Sequence, residues 1–277
     1  MEKGKVIYLD FGSFMFRSIF SWEKTKQNGS SVPASYTCLS SIIASLKKVG
    51  VDKENDIVIV AVDSKYGSWR KRYDKAYKAG RKEAREKHDI DWTATFAEFD
   101  ELKERLKVGS PFLVCEEEFC EADDIISVGV RYFTDRENII ISPDHDFFEL
   151  TQYDYVKIFS PLKKYKSKKG AYVKVGNPFK ELSKKIQSEA SDGLISPIVT
   201  EEDYELRKKL VTLAELPDDV EEPILKIIKE LDLKKDYDIR MLPFKTIQSR
   251  FDSIYDTKDV ITYEDCINYK KRTRRKK

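Results

Sequence analysis

The sequence predicts an α/β protein with a mostly parallel central sheet flanked by helices, followed by a smaller helical C-terminal region. Short, almost continuously apolar runs rich in Val and Ile alternate with amphipathic stretches up to about residue 175, and only amphipathic stretches continue beyond it. Such apolar runs are typical of strands buried on both faces. Their alternation with helices indicates βαβ units joined by right-handed crossovers.

The elements follow from these runs in chain order. Strands are predicted at residues 5–9, 56–62, 112–114, 138–141 and 156–159. Helices are predicted at residues 36–49, 92–108, 204–213 and 221–231. Gly50 and Gly109 follow the first two helices, and glycine commonly ends a helix. We therefore divide the chain into an α/β domain (1–175), a helical C-terminal region (176–269) and a basic tail (270–277).

Composition excludes several classes of protein. The chain has 277 residues, of which 40% are hydrophobic and 36% charged, as expected for a soluble intracellular protein. No apolar run approaches the roughly 18 residues that cross a bilayer, and the N-terminus leads directly into a strand rather than a signal peptide. Four scattered cysteines without C-x-x-C spacing, with only two histidines, argue against a disulfide framework or a zinc site.

The charges are sorted along the chain. The net charge is +2, yet residues 270–277 alone hold seven Lys or Arg. Residues 65–87 hold ten basic residues against three acidic ones, and residues 163–174 hold six Lys and no acid. Basic segments of this kind favour a polyanionic partner such as nucleic acid. For the tail, which we expect to be disordered when unbound, an ordinary solvated surface explains the composition equally well.

Acidic residues follow three of the predicted strands. Asp10 ends the first strand, Asp63 follows the second, and Asp144 and Asp146 follow the strand at 138–141. A single aspartate at such a position is usually a helix cap. Because ligands of parallel sheets bind beyond the carboxyl ends of the strands, the recurrence predicts one acidic crevice.

Three further acids lie in one predicted helical turn, in the stretch CEADDIIS at residues 120–127. The helix dipole explains one or two acids there. Three carboxylates entering an apolar helix repel one another unless a cation compensates. Glu121 and Asp124 are three apart and share a helix face, so both are expected to point into the crevice, with Asp123 turned aside.

The ligand type predicts the ion. Carboxylate oxygens favour hard cations, so two Mg²⁺ ions, replaceable by Mn²⁺, fit the crevice and zinc does not. Two such ions suit phosphodiester hydrolysis and remove the need for a separate base such as His145. A phosphatase with Asp10 as nucleophile is another possible function, but its chemistry requires a second acid at the position of Gly12.

The ordered motifs resemble the 5′-nuclease superfamily of flap endonucleases and the 5′-nuclease domain of bacterial DNA polymerase I, and in particular its phage RNase H branch of 5′-to-3′ exonucleases. Asp10 and Asp63 are similar to the first two metal aspartates of the family. Glu121-Ala-Asp-Asp124 resembles its E-A-D-D motif and Asp144-His-Asp146 its D-x-D motif. Residues 69–81, from Trp69-Arg70 to Tyr77-Lys78 and Arg81, have the spacing of its F-R…Y-K-x-x-R helix.

The resemblance implies a PIN-like 5′-nuclease fold with a helical arch at about residues 65–108. It implies that the Lys and Arg residues of this segment contact the scissile phosphate. The residue types agree, since Arg70, Lys78 and Arg81 can neutralise charge on the phosphate and Tyr77 can stack a terminal base. On one helix, the basic residues of this segment are expected to form a single stripe: Lys71, Lys75, Lys78, Lys82 and Arg85. The first ion is assigned to Asp10, Asp63, Asp124 and Asp144. The second is assigned to Asp146 and Asp192, helped by Asp123 and Glu189, and Glu121 serves either ion.

The sequence departs from the family after the arch. The family motif G-D-x-x-D is present only as Ser188-Glu189-Ala-Ser-Asp192, and the helix-hairpin-helix element that follows is short. We therefore expect no potassium site, and we expect residues 163–174 and the tail to carry more of the non-specific binding.

The expected function is a Mg²⁺-dependent 5′-to-3′ exonuclease or flap endonuclease. It would cut flapped or nicked DNA and the RNA of RNA–DNA hybrids to remove primers during replication. It would act as a phage-encoded monomer inside the host cell and would not bind a membrane. A single-stranded-DNA-binding protein is a possible partner. The alternative is a catalytically weakened nuclease-fold protein that binds branched or single-stranded nucleic acid.

Overall fold

The computed structural model describes residues 3–26, 29, 32–166, 168–188 and 198–267. Within them the strands are β1 (Val6–Asp10), β2 (Ile57–Ala61), β3 (Leu113–Cys115), β4 (Asn138–Ile141), β5 (Val156–Tyr165) and β6 (Lys168–Val173). They form one sheet in the order β3-β2-β1-β4-β5-β6. The first five strands are parallel, and β6 pairs antiparallel with β5. The predicted α/β fold with a mostly parallel sheet is confirmed.

The carboxyl ends of the central strands lie side by side. Leu9 of β1 pairs with Val60 of β2 on one side and with Ile141 of β4 on the other. Every residue of these three strands is buried, which explains why their sequences are apolar without alternation. The residues that follow each strand therefore meet at one edge of the sheet.

The helices cover both faces of this sheet. They are α1 (Phe11–Lys26), α2 (Ala34–Val49), α3 (Arg81–Glu86), α4 (Trp92–Gly109), α5 (Ala122–Tyr132), α6 (Pro178–Gln187), α7 (Glu201–Val211), α8 (Asp218–Lys229) and α9 (Lys245–Phe251). Short 3₁₀ helices occupy Trp69–Arg72, Asp146–Gln152, Ile239–Met241, Asp252–Tyr255 and Thr257–Asp259. Within the described residues, none of the helices is both long and apolar enough to cross a bilayer.

The C-terminal region packs on both faces. On one face, Leu242, Ile247 and Phe251 join the apolar cluster made by α1, α2, α4 and the sheet. On the other face, Val220 and Ile224 of α8 pack against α5. The division at residue 175 remains a prediction, but the region beyond it contributes to the same two layers of core.

The two predicted helix-ending glycines differ in role. Gly50 has φ +68° and its N–H donates to the Lys47 carbonyl, so it ends α2 in the left-handed conformation as predicted. Gly109 is instead the last helical residue of α4, and Ser110 follows in an extended conformation. A Cβ on Gly109 would lie 2.9 Å from the backbone nitrogen of Leu242. Gly109 therefore permits the close approach of the C-terminal region.

The predicted helical arch is helical only in parts. Residues 65–86 contain the 3₁₀ helix Trp69–Arg72 and the six-residue α3, with turns between them. The backbone leaves the helical conformation at Lys78, whose φ is +55°. The prediction of a single basic stripe was therefore wrong, since residues 71–85 share no continuous helix. Like charges at helical spacing also disfavour a helix in this segment.

Strand β6 was not predicted. Its residues belong to the lysine-rich segment 163–174, which lacks the apolar pattern of a buried strand. As an edge strand, β6 pairs on one side only, and lysines on an edge discourage pairing with another chain. The basic segment is thus a β-hairpin formed by the end of β5 and β6.

Candidate active site

Acidic side chains gather in a cleft at the carboxyl edge of the sheet. The cleft has a volume of about 1460 Å³. Six of the predicted site acids line it: Asp10, Asp63, Glu121, Asp123, Asp144 and Asp146. The strand register brings together residues that are up to 136 positions apart in sequence, as predicted.

Asp10, the last residue of β1, is buried and held by two hydrogen bonds. The Ser142 hydroxyl donates to its Oδ2 at 2.8 Å, and the Ser13 backbone N–H donates to its Oδ1 at 3.0 Å. Burial and the nearby Asp63 carboxylate raise the pKa of Asp10 to about 6, against the effect of these two hydrogen bonds. Asp10 is therefore fixed in position but electrostatically strained when ionised.

Asp63 connects the end of β2 to the start of α5. The Ala122 backbone N–H donates to its Oδ1 at 2.8 Å, and burial of the carboxylate within the cleft raises its pKa. A Cβ at Gly12 would lie 3.0 Å from Asp63 Oδ2. Gly12 thus leaves room for the carboxylate, a role that sequence reasoning missed.

Asp124 does not face the cleft. Its side chain is 0% exposed, and Arg70, itself 2% exposed, binds it through Nη2 to Oδ1 at 2.8 Å and Nη1 to Oδ2 at 3.1 Å. Trp69 Nε1 donates to the same carboxylate at 3.1 Å, as does the Glu121 backbone N–H at 2.8 Å. The assignment of Asp124 to the first ion is therefore corrected, because its compensating cation is Arg70.

Glu121 is also held by protein cations. Lys78 Nζ lies 2.5 Å from its Oε1 and Arg70 Nη1 2.9 Å from its Oε2. The Tyr77 hydroxyl donates to Oε2 at 3.0 Å. Burial alone would raise the pKa of Glu121, but Lys78 and Arg70 outweigh it and lower the pKa to about 2. Glu121 is therefore ionised without a metal ion.

These contacts change the expected roles of two residues. Arg70 is buried and also donates from Nε to the Leu210 carbonyl at 2.7 Å, so it does not face a phosphate in the cleft. Tyr77 is buried with its hydroxyl on Glu121, so its ring is not available to stack a terminal base. Both assignments are corrected: Arg70 and Tyr77 hold the acidic turn in place.

Asp123 takes the place that was predicted for Asp124. Its carboxylate lines the cleft, and its pKa is raised well above the usual value by burial and by the carboxylates of Asp10 and Asp144, although Lys78 opposes this shift. The prediction that Asp123 turns aside was wrong.

The last two acids lie on the loop after β4. Asp144 is exposed, and its Oδ1 accepts the Asp146 backbone N–H at 3.0 Å. Asp146 pairs with Lys185 of α6 at 2.6 Å. His145 is exposed and stacks on Phe148 at 4.5 Å. Glu189 and Asp192, predicted to assist the second ion, lie outside the described residues.

Lys78 and Arg81 remain on the wall of the cleft. Lys78 adopts a left-handed backbone conformation and points its ammonium group at Glu121. Arg81 is exposed as the first residue of α3. Half-buried aromatic rings of Phe16, Phe20 and Phe96 line the same cleft, a feature that sequence reasoning did not identify. The i, i+4 spacing of Phe16 and Phe20 on α1 was the available signal.

The acids fall into two electrostatic groups. Glu121, Asp124 and Asp146 have Lys or Arg partners. Four others form no salt bridge with Lys or Arg within the part of the chain that the structure describes: Asp10, Asp63, Asp123 and Asp144. In this second group, burial and, to a smaller extent, repulsion between the carboxylates raise the pKa of Asp10 and Asp123.

The second group fits a hard divalent cation in its donor chemistry. All four donors are carboxylates, and a cation between them would relieve the repulsion that adds to burial in raising the pKa of Asp10 and Asp123. As placed, no three acidic, His or Cys side chains among the described residues already form a closed metal site. Asp10 and Asp63 are fixed by hydrogen bonds from neighbouring residues, whereas Asp144 lies exposed on its loop.

Comparison with known proteins agrees with the fold and with the ordered motifs. Residues 5–177 match the family described as 5′-3′ exonuclease, N-terminal resolvase-like domain. The chain belongs to this family, as the sequence motifs predicted.

Individual relatives come from bacteriophages. The chain is 35% identical over 128 residues to ribonuclease H of Enterobacteria phage T4, a match that spans 46% of the chain and 42% of that protein. Among solved structures, T5 5′-exonuclease with bound divalent metal ions (zinc) covers 82% of the chain and 98% of its own length, with a TM-score of 0.56 at 20% identity. A T5 flap endonuclease in a pseudo-enzyme-product complex with DNA and metal ions covers 91% and 98%, with a TM-score of 0.50 at 17% identity. These structures show the shared fold.

Proposed function

We propose that the protein is a divalent-metal-dependent 5′-nuclease that hydrolyses phosphodiester bonds in flapped or nicked DNA and in the RNA of RNA–DNA hybrids. The observation that carries the proposal is a group of four cleft carboxylates that form no salt bridge with Lys or Arg in the described part of the chain, namely Asp10, Asp63, Asp123 and Asp144 at the carboxyl edge of the sheet. Family membership and the phage relatives support the same activity.

Each part of the cleft has a role in this proposal. Asp10, Asp63, Asp123 and Asp144 would hold the divalent cation, with Mg²⁺ as the physiological ion and Mn²⁺ as a substitute. When bound, such an ion stabilises charge on the phosphate and activates the attacking water. Lys78 holds Glu121 ionised and lies beside the cleft, and the exposed guanidinium of Arg81 is placed to bind the scissile phosphate.

The cleft also suits the rest of a nucleotide. Phe16, Phe20 and Phe96 offer apolar rings to bases or sugars, while Lys82 and Arg85 on the same wall offer charge to the backbone. Acidic side chains that would hold cations and basic side chains that would hold phosphates thus line one cavity. Hydrolysis of a polyanion requires this combination.

The setting of the activity is also proposed. The phage relatives support a phage-encoded enzyme that removes RNA primers during replication inside the host cell. A monomeric protein that meets a single-stranded-DNA-binding protein at the replication fork is consistent with this role.

The test is cleavage of one 5′-labelled series comprising a flap, a nick, a blunt duplex and an RNA–DNA hybrid, with Mg²⁺ and with chelator. We expect Mg²⁺-dependent release of short 5′ products from the flap and the hybrid. Asp144→Asn should abolish cleavage with DNA affinity nearly unchanged, because its exposed side chain makes few structural contacts. Asp100→Asn, on the same cleft wall but outside the acidic group, is the matched control and should cleave normally.

The alternative function predicts a different result from the same series. A catalytically weakened protein would bind the flap and cleave none of the substrates at any metal concentration. Full activity of Asp144→Asn would contradict the assignment of the site.

A further inference from the structure

Two exposed aromatic rings lie beside the cleft and have no role so far. Tyr66 is 55% exposed and Phe119 is 51% exposed. Their ring centroids are 6.0 Å apart and their planes are inclined by 42°. Tyr66 follows Asp63 by three residues and Phe119 precedes Glu121 by two, so about 10 Å of chain at most separates each from an acid of the cleft.

The backbone fixes the relative position of the two rings. The Phe119 N–H donates to Ser64 Oγ at 3.0 Å, and the Trp69 N–H donates to the Phe119 carbonyl at 2.7 Å. The Ser64 N–H donates to the Cys120 carbonyl at 2.9 Å. The two loops that carry the rings are therefore bound together, and a ligand on the rings would not have to order them first.

Phe119 adopts an unfavourable backbone conformation. Its φ is +60°, in the left-handed region that a bulky residue rarely occupies. Phe244 has a similar φ of +66°, but its ring is half-buried and packs on Tyr36 at 5.3 Å. Burial thus compensates the strain at Phe244. At Phe119 half of the side chain remains in solvent, which points to a role at the surface.

The surrounding charges favour a base at the rings. Lys65 Nζ lies 5.1 Å from the Tyr66 ring centroid, and Lys65, Ser64 and Gly67 also line the cleft, so the rings continue its wall. Glu117 and Glu118 precede Phe119 and would repel a phosphate there. A ligand that spans both positions should therefore place an uncharged flat group on Phe119 and its negative charge near Lys65.

We propose that Tyr66 and Phe119 form a stacking platform for an unpaired base in the single-stranded part of the substrate, with Lys65 at the adjoining phosphate. This inference rests on the proposed function, because it takes the ligand of the cleft to be nucleic acid. It adds a contact outside the metal group that selects unpaired nucleotides over those inside a duplex, since a base inside a duplex has both faces stacked on its neighbours.

The test uses flap oligonucleotides with 2-aminopurine at successive unpaired positions, in chelator so that no cleavage occurs. Stacking should quench the fluorescence at one position in the parent protein. Tyr66→Ala and Phe119→Gly should remove this quenching and weaken flap binding by about 5- to 100-fold, while binding of a blunt duplex stays unchanged. Tyr132→Ala is the matched control, since Tyr132 is 42% exposed at the far end of α5.

Phe119→Gly also separates a loss of contact from a loss of folding. Glycine adopts φ near +60° freely, so the melting temperature of this variant should not fall below that of the parent. Unchanged quenching and flap affinity in both variants would overturn the platform, as would equal losses on flap and blunt duplex. A parent that stacks the base yet cleaves nothing with Mg²⁺ would overturn the proposed function and leave the platform standing.

Discussion

Arg70 and Asp124 form a two-point salt bridge in the interior, with nitrogen–oxygen distances of 2.8 and 3.1 Å. This bridge gives neighbouring aspartates opposite roles. Asp124 is bound by the protein, whereas Asp123 faces the cleft and is repelled by Asp10 and Asp144. The two roles should have opposite effects on the free energy of unfolding, which can be measured in the metal-free protein.

Asp124→Asn should destabilise the fold strongly. The substitution removes the two-point charge partner of the buried Arg70, which retains its contact with Glu121, and breaking such a buried pair costs about 3–5 kcal/mol in the free energy of unfolding. Asp123→Asn removes a repelled carboxylate and should leave the free energy of unfolding unchanged or higher. Urea unfolding of both variants in chelator checks this, and equal losses in the two would contradict the division of roles.

The stability of the metal-free protein should depend on Asp10 in a defined direction. The pKa of Asp10 is raised from 3.8 to about 6, so the folded state holds its proton more tightly than the unfolded state. Its contribution is therefore fully present below about pH 4 and is lost as the pH rises through 6. Asp10→Asn should be more stable than the parent at pH 7.5, by on the order of 2 kcal/mol, and this advantage should vanish near pH 4.

Unfolding curves in chelator between pH 4 and 8 measure this effect. Addition of Mg²⁺ at pH 7.5 should raise the melting temperature of the parent, because the ion binds the folded state. Asp10→Asn and Asp123→Asn should lose that response. If Asp10→Asn and the parent differ in free energy of unfolding by the same amount at every pH, the ionised Asp10 carboxylate does not destabilise the fold as proposed.

Arg81→Ala should slow cleavage more than it weakens binding. An exposed guanidinium that stabilises charge in the transition state contributes about 100-fold to kcat. Lys87→Ala is the control, because Lys87 is exposed just beyond α3 and does not line the cleft. Steady-state kinetics on the flap separates kcat from KM. A rise in KM at constant kcat would assign Arg81 to ground-state binding only.

Deletion of residues 270–277 should weaken nucleic-acid binding and flatten its salt dependence. Each lost phosphate contact reduces the slope of log K against log salt by about 0.7–0.9. A tail of equal length with every Lys and Arg changed to Ser should behave like the deletion. Affinity that is unchanged at low salt would show that the tail is ordinary solvated surface.

Much of the fold was predictable because the strands are buried on both faces. The runs at β1, β2 and β4 contain mostly Val and Ile, and a mostly parallel sheet follows from their alternation with helices. The strand β6 was not predictable from periodicity, since its pairing with β5 depends on position at the sheet edge. The prediction of one helix in the arch segment was wrong because its lysines match helical spacing while the backbone turns at Lys78.

The candidate site was predictable in position but not in orientation. Asp10, Asp63 and Asp144 stand at or just beyond the carboxyl ends of three parallel strands. Because these ends share one edge of the sheet, the three acids must meet there. Helical spacing predicted Glu121 and Asp124 on one helix face that points into the cleft, whereas Glu121 lies just before α5 and Asp124 does not line the cleft. It could not show that this face meets Arg70, which lies 54 residues away in sequence from Asp124 and acts as its cation.

The packing of Leu242, Ile247 and Phe251 against α2 and α4 has a consequence for synthesis on the ribosome. The matched family region ends at residue 177, yet the side of α2 and α4 that packs against these later residues stays uncovered until they have emerged. The nascent chain therefore exposes apolar surface on the side of α2 while the acidic cleft is already translated. Emergence of the C-terminal region covers this surface, so translation passes through a stage in which the cleft residues have been made but the chain is prone to aggregate.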